Sequence, residues 1–422
     1  MQDARGYLAR PLLLWQTSCV KRVLIFSLAY FPKHVGGAEF AIKEITDRID
    51  FSDIEFHMVT LRFDSTLPIE SKEGVVTVHR IGWGKKGAGM GDTFTLGFYF
   101  SKIFFIPLVA LKAARLHRAL RFDAAWAMMA YMQFPIVLAR LLGMRIPYAI
   151  TLQEGDPFQH VFQRWYILPF RPLLVYGFRH ASVIQTISTF LAGWARQMGF
   201  FGPLEVIPNG VNTEHFSQEY PASIVNEIKD TLEKKMGDVF VITTSRLVHK
   251  NAVDDVIRAL PLLPGNVHFV VLGIGPDEAK LKKLAADLTV SERMRFLGQI
   301  GHADLPKYLK ASDIFIRASR SEGMGNSFVE AMAAGIPVIA TQEGGLSDFL
   351  FDEKRNPDQP ITGWAVDKDS PPQIAAAIKD IMARPEKVRA VVATAKQMVI
   401  EKYDWNLVAK DMREKVFERL FA

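Results

Sequence analysis

Short, unbroken apolar runs alternate along the chain with longer stretches whose apolar residues recur every three or four positions. The first runs are residues 22–29 (RVLIFSLA), 56–61, 75–81, 124–130, 147–152 and 182–188. Each is too short for a helix and predicts a strand buried on both faces. A second series follows at 239–244, 268–272, 294–298, 311–316 and 337–340. Helices are expected between them, at 38–50, 135–142, 189–198 and 305–309 among others. Strands alternating with helices predict parallel sheets with helices on both faces. The two series are separated at 199–211, which holds Gly202-Pro203 and runs into VIPNGVN, ending at Asn212. Proline and glycine fix a turn there, and relative rotation of two lobes can occur at such a point.

The richest stretch is 320–348, RSEGMGNSFVEAMAAGIPVIATQEGGLSD. It opens as a loop with Glu322, Gly323 and Gly325. A helix is expected from Asn326, capped by that side chain and ended by Gly335. A second glycine turn, Gly344-Gly345, precedes Asp348. Glycines admit a ligand close to the backbone. The amides from Met324 to Ser327 are helix-start donors that favour an anion. Glu322 and Glu330 would repel a phosphate, so they are expected to face neutral hydroxyls. Hydroxyls beside a diphosphate describe a nucleotide sugar.

Three further features extend this reading. The first strand runs into FPKHVGGAE, where Gly36 and Gly37 precede a helix and form a phosphate-sized notch. It lacks the GxGxxG spacing of a dinucleotide loop, as does Gly273-Ile-Gly275, where Glu278 holds the third glycine position. Arg246 and Lys250 follow the strand at 239–244, at the carboxyl edge where open α/β sheets bind ligands. Cations at a helix start are unfavourable alone, which argues for an anion between them. Asp367-Lys368-Asp369 has the form of a metal-binding pair, but it precedes Ser370-Pro371-Pro372 and is read as helix capping, with no metal site.

Glu-x7-Glu followed by EAMAxGxPVIA and the GG turn, with SRLVxxK, FPxxxGGAE and VIPNGVN, resembles the retaining glycosyltransferases of GT-B fold, family 4 in kind (glycosyl transferases group 1), over about residues 20–420. The resemblance implies an α/β protein of two Rossmann-like domains whose parallel sheets face a central cleft. It places an N-terminal extension, poorly ordered, at 1–19 and an acceptor domain at 20–200. A nucleotide-sugar domain follows at 201–404, and 405–422 forms a terminal helix returning to the first domain. It implies a donor held by Gly36, Gly37, Arg246, Lys250, Gly323, Met324, Gly325, Asn326 and Glu330. Catalysis would rest on Glu322, Arg246 and Lys250, with Glu322 on sugar hydroxyls and Glu330 on the ribose. The resemblance also implies a glycine after the lysine, so Asn251 is expected to take the left-handed backbone there, which asparagine tolerates. The only small molecule implied is the substrate, a UDP- or GDP-linked sugar, with neither cofactor nor metal. Where the family commonly carries a histidine at a strand end near the transferred sugar, this chain has Gln153 and Glu154, the candidate sugar or acceptor contacts. A glycan or lipid-linked glycan is the acceptor expected. A non-catalytic nucleotide-sugar-binding protein or a sugar-nucleotide epimerase are the alternatives, and the intact Arg246, Lys250, Glu322 and Glu330 argue against the former.

Composition narrows the setting. With 49% hydrophobic and 23% charged residues the chain is an ordinary globular protein. Cys19 is the single cysteine, which excludes an internal disulfide and suits a reduced, cytoplasmic location. Charge is uneven: residues 1–205 hold 23 Lys/Arg and 15 Asp/Glu (+8), residues 206–422 hold 28 and 30 (−2). The basic half is expected to face anionic lipid or an anionic acceptor, and no nucleic-acid-binding module is present in the pattern. Residues 94–111 are apolar but interrupted by Lys102 and Pro107, and fall short of a membrane span. Lys112, Arg115, Arg118 and Arg121 continue that stretch, which reads as a helix lying in a lipid interface or as a core-facing helix with a solvated basic side.

Overall fold

A computed structural model describes residues 20–33, 36–88 and 96–422. The extension expected at 1–19 and the loop residues 89–91 lie outside them. Two sheets carry the chain. The first holds β1 (Lys21–Phe26), β2 (Ile54–Leu61), β3 (Glu70–Glu73), β4 (Val76–Ile81), β5 (Ala124–Met128), β6 (Tyr148–Leu152), β7 (Val183–Thr186) and β8 (Leu204–Val206). Their order is β3-β4-β2-β1-β5-β6-β7-β8. The second holds β9 (Val239–Thr244), β10 (Val267–Leu272), β11 (Met294–Gly298), β12 (Ile314–Arg317), β13 (Val338–Ala340) and β14 (Trp364–Ala365), in the order β11-β10-β9-β12-β13-β14.

Every pairing is parallel except β3 with β4. The central strands β5, β6 and β7 are buried along their whole length, which is why they read as unbroken apolar runs. β3 is ESKE, half of it exposed. Having no apolar alternation, it gave no strand signal.

The structure corrects the expected linker. Residues 204–206, inside the stretch read as hinge, form β8 and pair in parallel with β7. The first sheet therefore takes its edge strand from beyond residue 200, where the second domain was expected to have begun. The chain's end behaves in a related way. Trp405, Val408, Met412, Val416 and Phe417 are buried with Val23, Ile25 and Trp126 of the first sheet. The Phe417 ring lies edge-on to Phe56 and Trp126 at 5.7 and 5.3 Å.

The helix Leu96–Leu120 continues through Pro107. Phe105, Val109, Ala110, Ala113 and Ala114 turn inward, while Phe104, Leu111, Arg115 and Arg118 are exposed. It therefore packs on the sheet and still presents apolar and basic side chains outward. No helix among the described residues is long and apolar enough to cross a membrane.

Candidate functional site

The stretch 320–348 folds at the carboxyl end of β12 and β13, facing the carboxyl end of β6. Glycine is required where it touches itself and the first domain. A Cβ on Gly323 would lie 2.5 Å from the Glu154 carbonyl oxygen, and one on Gly345 only 1.9 Å from the Gly323 carbonyl oxygen. Such distances leave no room for a side chain. The Gly345 amide donates to the Glu322 carbonyl at 3.1 Å, so the second glycine turn clamps the first loop. Ser321 Oγ donates to the Gly155 carbonyl at 3.0 Å. The loop is thus clamped within its own domain and fastened to the first domain through Ser321.

Lys250, Glu322 and Gly323 converge on Gly155. A Cβ built there would lie 3.0 Å from Lys250 Nζ, 3.6 Å from Glu322 Oε1 and 3.7 Å from the Gly323 amide nitrogen. A cation, a carboxylate and a backbone donor from the second domain therefore meet one glycine of the first. Lys250 Nζ lies 3.1 Å from Asp156 Oδ1, an ion pair across the cleft. Arg246 behaves otherwise. Its side chain is exposed and has no partner among the described residues, and its carbonyl accepts from Asn251 Nδ2 at 2.7 Å.

That bond corrects the expectation for Asn251. The left-handed residue is Ala252, at φ +53°. Asn251 instead closes the turn with its side chain. A similar correction applies at Asn326. The cap of the helix Asn326–Ala334 is Gly325, at φ +83°, and Asn326 is its first helical residue. Freed from capping, the Asn326 side chain accepts from Asn209 Nδ2 at 3.3 Å. Asn209 also exchanges two bonds with Gln153, of 3.0 and 3.2 Å. This amide chain joins the end of β6, the connecting segment and the second domain. Met324 is buried and its Sδ accepts from the Asn209 amide at 3.2 Å, so its side chain is a plug between domains.

Glu154 is buried beneath Gln153. Its oxygens accept from the Ala130 amide at 2.7 Å and the Gln153 amide at 3.0 Å. Burial, opposed by those bonds, pushes its carboxyl up to about 7. Of the two candidates, Gln153 is half-buried at the domain junction and Glu154 supports it from within.

Glu330 lies elsewhere on the same helix, 3.2 Å from His302 Nε2. That contact raises the His302 pKa above its ordinary value, against the opposing effect of burial. His302 also packs 5.1 Å from the Phe40 ring, on the helix Gly37–Thr46. At that helix's start, the Gly36 amide is already taken by Glu39 Oε2 at 2.8 Å, whereas the space beside Gly37 is open. His34 and Val35 of the same loop lie outside the described residues.

Two arginines were not singled out by sequence reasoning. Arg317, at the end of β12, is 7% exposed. It bonds Glu322 Oε2 through Nη2, Ser327 Oγ at 2.9 Å and Ser319 Oγ at 3.1 Å, and stacks over Phe328 at 4.4 Å. An arginine inside an apolar strand (IFIR) was the available signal, because a buried cation needs a partner. Arg320 binds Asp254, Asp255 and Asp369. Asp369 is thus neither capping nor free, and Asp367 pairs with Arg355 and Gln373. Three carboxylates share Arg320, so burial and the neighbouring Asp254 still push Asp255 up to about 6.

Comparison with known proteins places this geometry. The family model for glycosyl transferases group 1 matches residues 202–398, and that for glycosyltransferase family 4 matches 35–215. A GDP-mannose-dependent alpha-(1-6)-phosphatidylinositol monomannoside mannosyltransferase of Mycobacterium tuberculosis is 30% identical over 244 residues, 54% of this chain and 60% of that protein. An alpha-monoglucosyldiacylglycerol synthase of Acholeplasma laidlawii is 29% identical over 36% of this chain and 39% of its own length. The chain thus spans no more than about three-fifths of these relatives. Among solved structures, sucrose-phosphate synthase of Thermosynechococcus elongatus superposes with TM-score 0.78 at 18% identity, over 95% of this chain and 99% of that one. HepE of Anabaena, solved with UDP and glucose, gives 0.72 at 18% identity, over 94% and 100%.

Proposed function

The chain belongs to the group 1 glycosyltransferases of GT-B fold, and we propose that it moves a sugar, with retention at the anomeric carbon, from a UDP- or GDP-linked donor to a hydroxyl of a glycan or lipid-linked glycan. The observation that carries this is the meeting of Lys250 Nζ, Glu322 Oε1 and the Gly323 amide at Gly155. Lys250 is the cation for the leaving diphosphate. It exchanges Asp156 for phosphate when the donor binds, and Arg246 folds in from the rim. Donors aimed at developing charge contribute roughly 3 kcal/mol each to the barrier. Glu322 holds sugar hydroxyls, and Glu330, oriented by His302, holds the ribose. The acceptor hydroxyl attacks from the face the diphosphate leaves, and the leaving phosphate takes its proton.

The reading assigns charge compensation to side chains and amides, without a metal ion. Support for a lipid-borne acceptor comes from the names of the mycobacterial and Acholeplasma relatives and from the basic first half of the chain. The test is release of nucleoside diphosphate from UDP- and GDP-sugars with and without glycolipid acceptors, in the presence of a chelator. Acceptor-dependent release that survives chelation is expected. Acceptor-independent conversion of the donor, or binding with no release, would overturn the proposal.

A further inference from the structure

We infer that the layer formed by the helices Leu96–Leu120, Gln133–Leu141 and Arg171–Arg179 docks on an anionic lipid bilayer, with Arg171 and Arg179 receiving headgroup phosphates. The inference takes from the reading above only that an acceptor can be lipid-borne, and its own basis is charge. Residues 93–204 contain 11 Lys/Arg and only three acids, Asp123, Glu154 and Asp156. None of the three is free. Asp123 accepts from Lys21 and the Arg22 amide, Glu154 is buried, and Asp156 pairs with Lys250.

The second domain shows the usual alternative. There, several surface cations carry a carboxylate on the next turn, as in Lys282–Glu278, Lys283–Asp287 and Arg384–Asp380. Arg171 and Arg179 are exposed and have no carboxylate partner among the described residues. They lie along one side of their helix, two turns apart, and border a groove of about 650 Å³ floored by Leu168, Pro172, Val175 and Tyr176. A groove with cationic ends and an apolar floor matches a phosphate joined to hydrocarbon.

The three helices pack in a row, the first on the second and the second on the third, and exposed apolar side chains on them and on the segment 165–170 leading into the third add to the surface. Trp165 is 82% exposed, Leu141 80%, Phe104 58% and Phe170 57%. Exposed apolar groups of this size interleaved with unpaired arginines suit the headgroup boundary, where tryptophan and arginine sit together. A nucleic acid would be met by cations without this apolar surface.

The test is flotation of the full chain with phosphatidylcholine vesicles with and without 30 mole per cent phosphatidylglycerol, in the absence of any sugar donor. Binding is expected only to the anionic vesicles and should fall as salt rises. Arg171→Glu with Arg179→Glu should lower partition at least tenfold, and Trp165→Ala should lower it severalfold. Lys280→Glu, on the second domain, should leave it unchanged. Melting temperatures should be equal in all these variants, which shows that they fold. Equal binding to both vesicle types, no effect of the arginine reversals, or stronger binding to a polynucleotide would overturn the inference. Because no donor is present, vesicle binding and sugar transfer can fail independently.

Discussion

Arg317 holds one oxygen of Glu322 and leaves the other for the cleft. Nη2 bonds Oε2, whereas Oε1 accepts from the Gly323 amide at 3.2 Å and faces Gly155. The pair is almost wholly buried, at 8% and 14% side-chain exposure. Removing one partner of such a pair costs roughly 3–5 kcal/mol, because the other is left uncompensated. Arg317→Leu should lower the melting temperature and abolish turnover together. Arg317→Lys keeps the charge but not the fork, so it should fold while kcat falls at least tenfold. A lysine variant with normal kcat would remove Arg317 from any positioning role.

Lys250 and Glu330 are assigned different tasks, so their variants should differ in kind. Lys250→Ala should lower kcat at least tenfold, as loss of one donor to the leaving group predicts. Glu330→Ala should chiefly raise the KM for the nucleotide sugar. Steady-state kinetics in both variants decides the point, and near-normal values in both would refute the site.

Glu154 makes stability depend on pH. Its carboxyl is pushed up to about 7 by burial, above its unfolded value. The folded state therefore favours the protonated form. That stability is full below about pH 4.5 and is lost as pH rises through about 7, by an amount on the order of 3 kcal/mol. Asp255, pushed up to about 6, and His302, raised by Glu330, act in the same direction. Glu154→Gln should therefore flatten, not abolish, the fall in melting temperature between pH 5 and 8. An unchanged slope would contradict the assignment.

Asp348 of one domain bonds the first residue of a helix of the other, whose N-cap is Ser188. It accepts from the Thr189 amide at 2.7 Å and from the Thr189 hydroxyl, at the start of the helix Thr189–Gln197. Asp348→Ala should cost about 1–2 kcal/mol of stability, as loss of hydrogen bonds to a charged acceptor does. If this bond helps hold the domains together, the radius of gyration in solution scattering should also increase. Loss of stability with unchanged dimensions would make it a local bond only.

Gly345 tests the clamp. Alanine there meets the Gly323 carbonyl at 1.9 Å, so the loop carrying Glu322 must move. Gly345→Ala should reduce kcat by tenfold or more, while Gly265→Ala, which has nothing within 4 Å, should not. Equal activities would show that the glycine turn does not position the loop.

By itself the sequence determined the two-sheet architecture, since strands buried on both faces must be predominantly apolar, as β5, β6, β9 and β10 are. It also marked the glycine turns, because Gly323 and Gly345 stand where backbone meets backbone. It could not tell which residue of a short loop turns left-handed. Ala252 and Gly325 took positions expected of Asn251 and a capping Asn326, because the Asn251 side chain closes its own turn on the Arg246 carbonyl and the Asn326 side chain meets Asn209, 117 residues away. β3 and β8 were invisible for a related reason: edge strands need no apolar face, so pairing alone defines them. The partners of Glu322, Glu330, Asp156 and Asp348 lie 5, 28, 94 and 159 residues away. Hydrogen bonds and ion pairs act over a few ångströms of space whatever the separation along the chain, so only the tertiary structure could decide which oxygen of each carboxylate is held and which is left for a substrate.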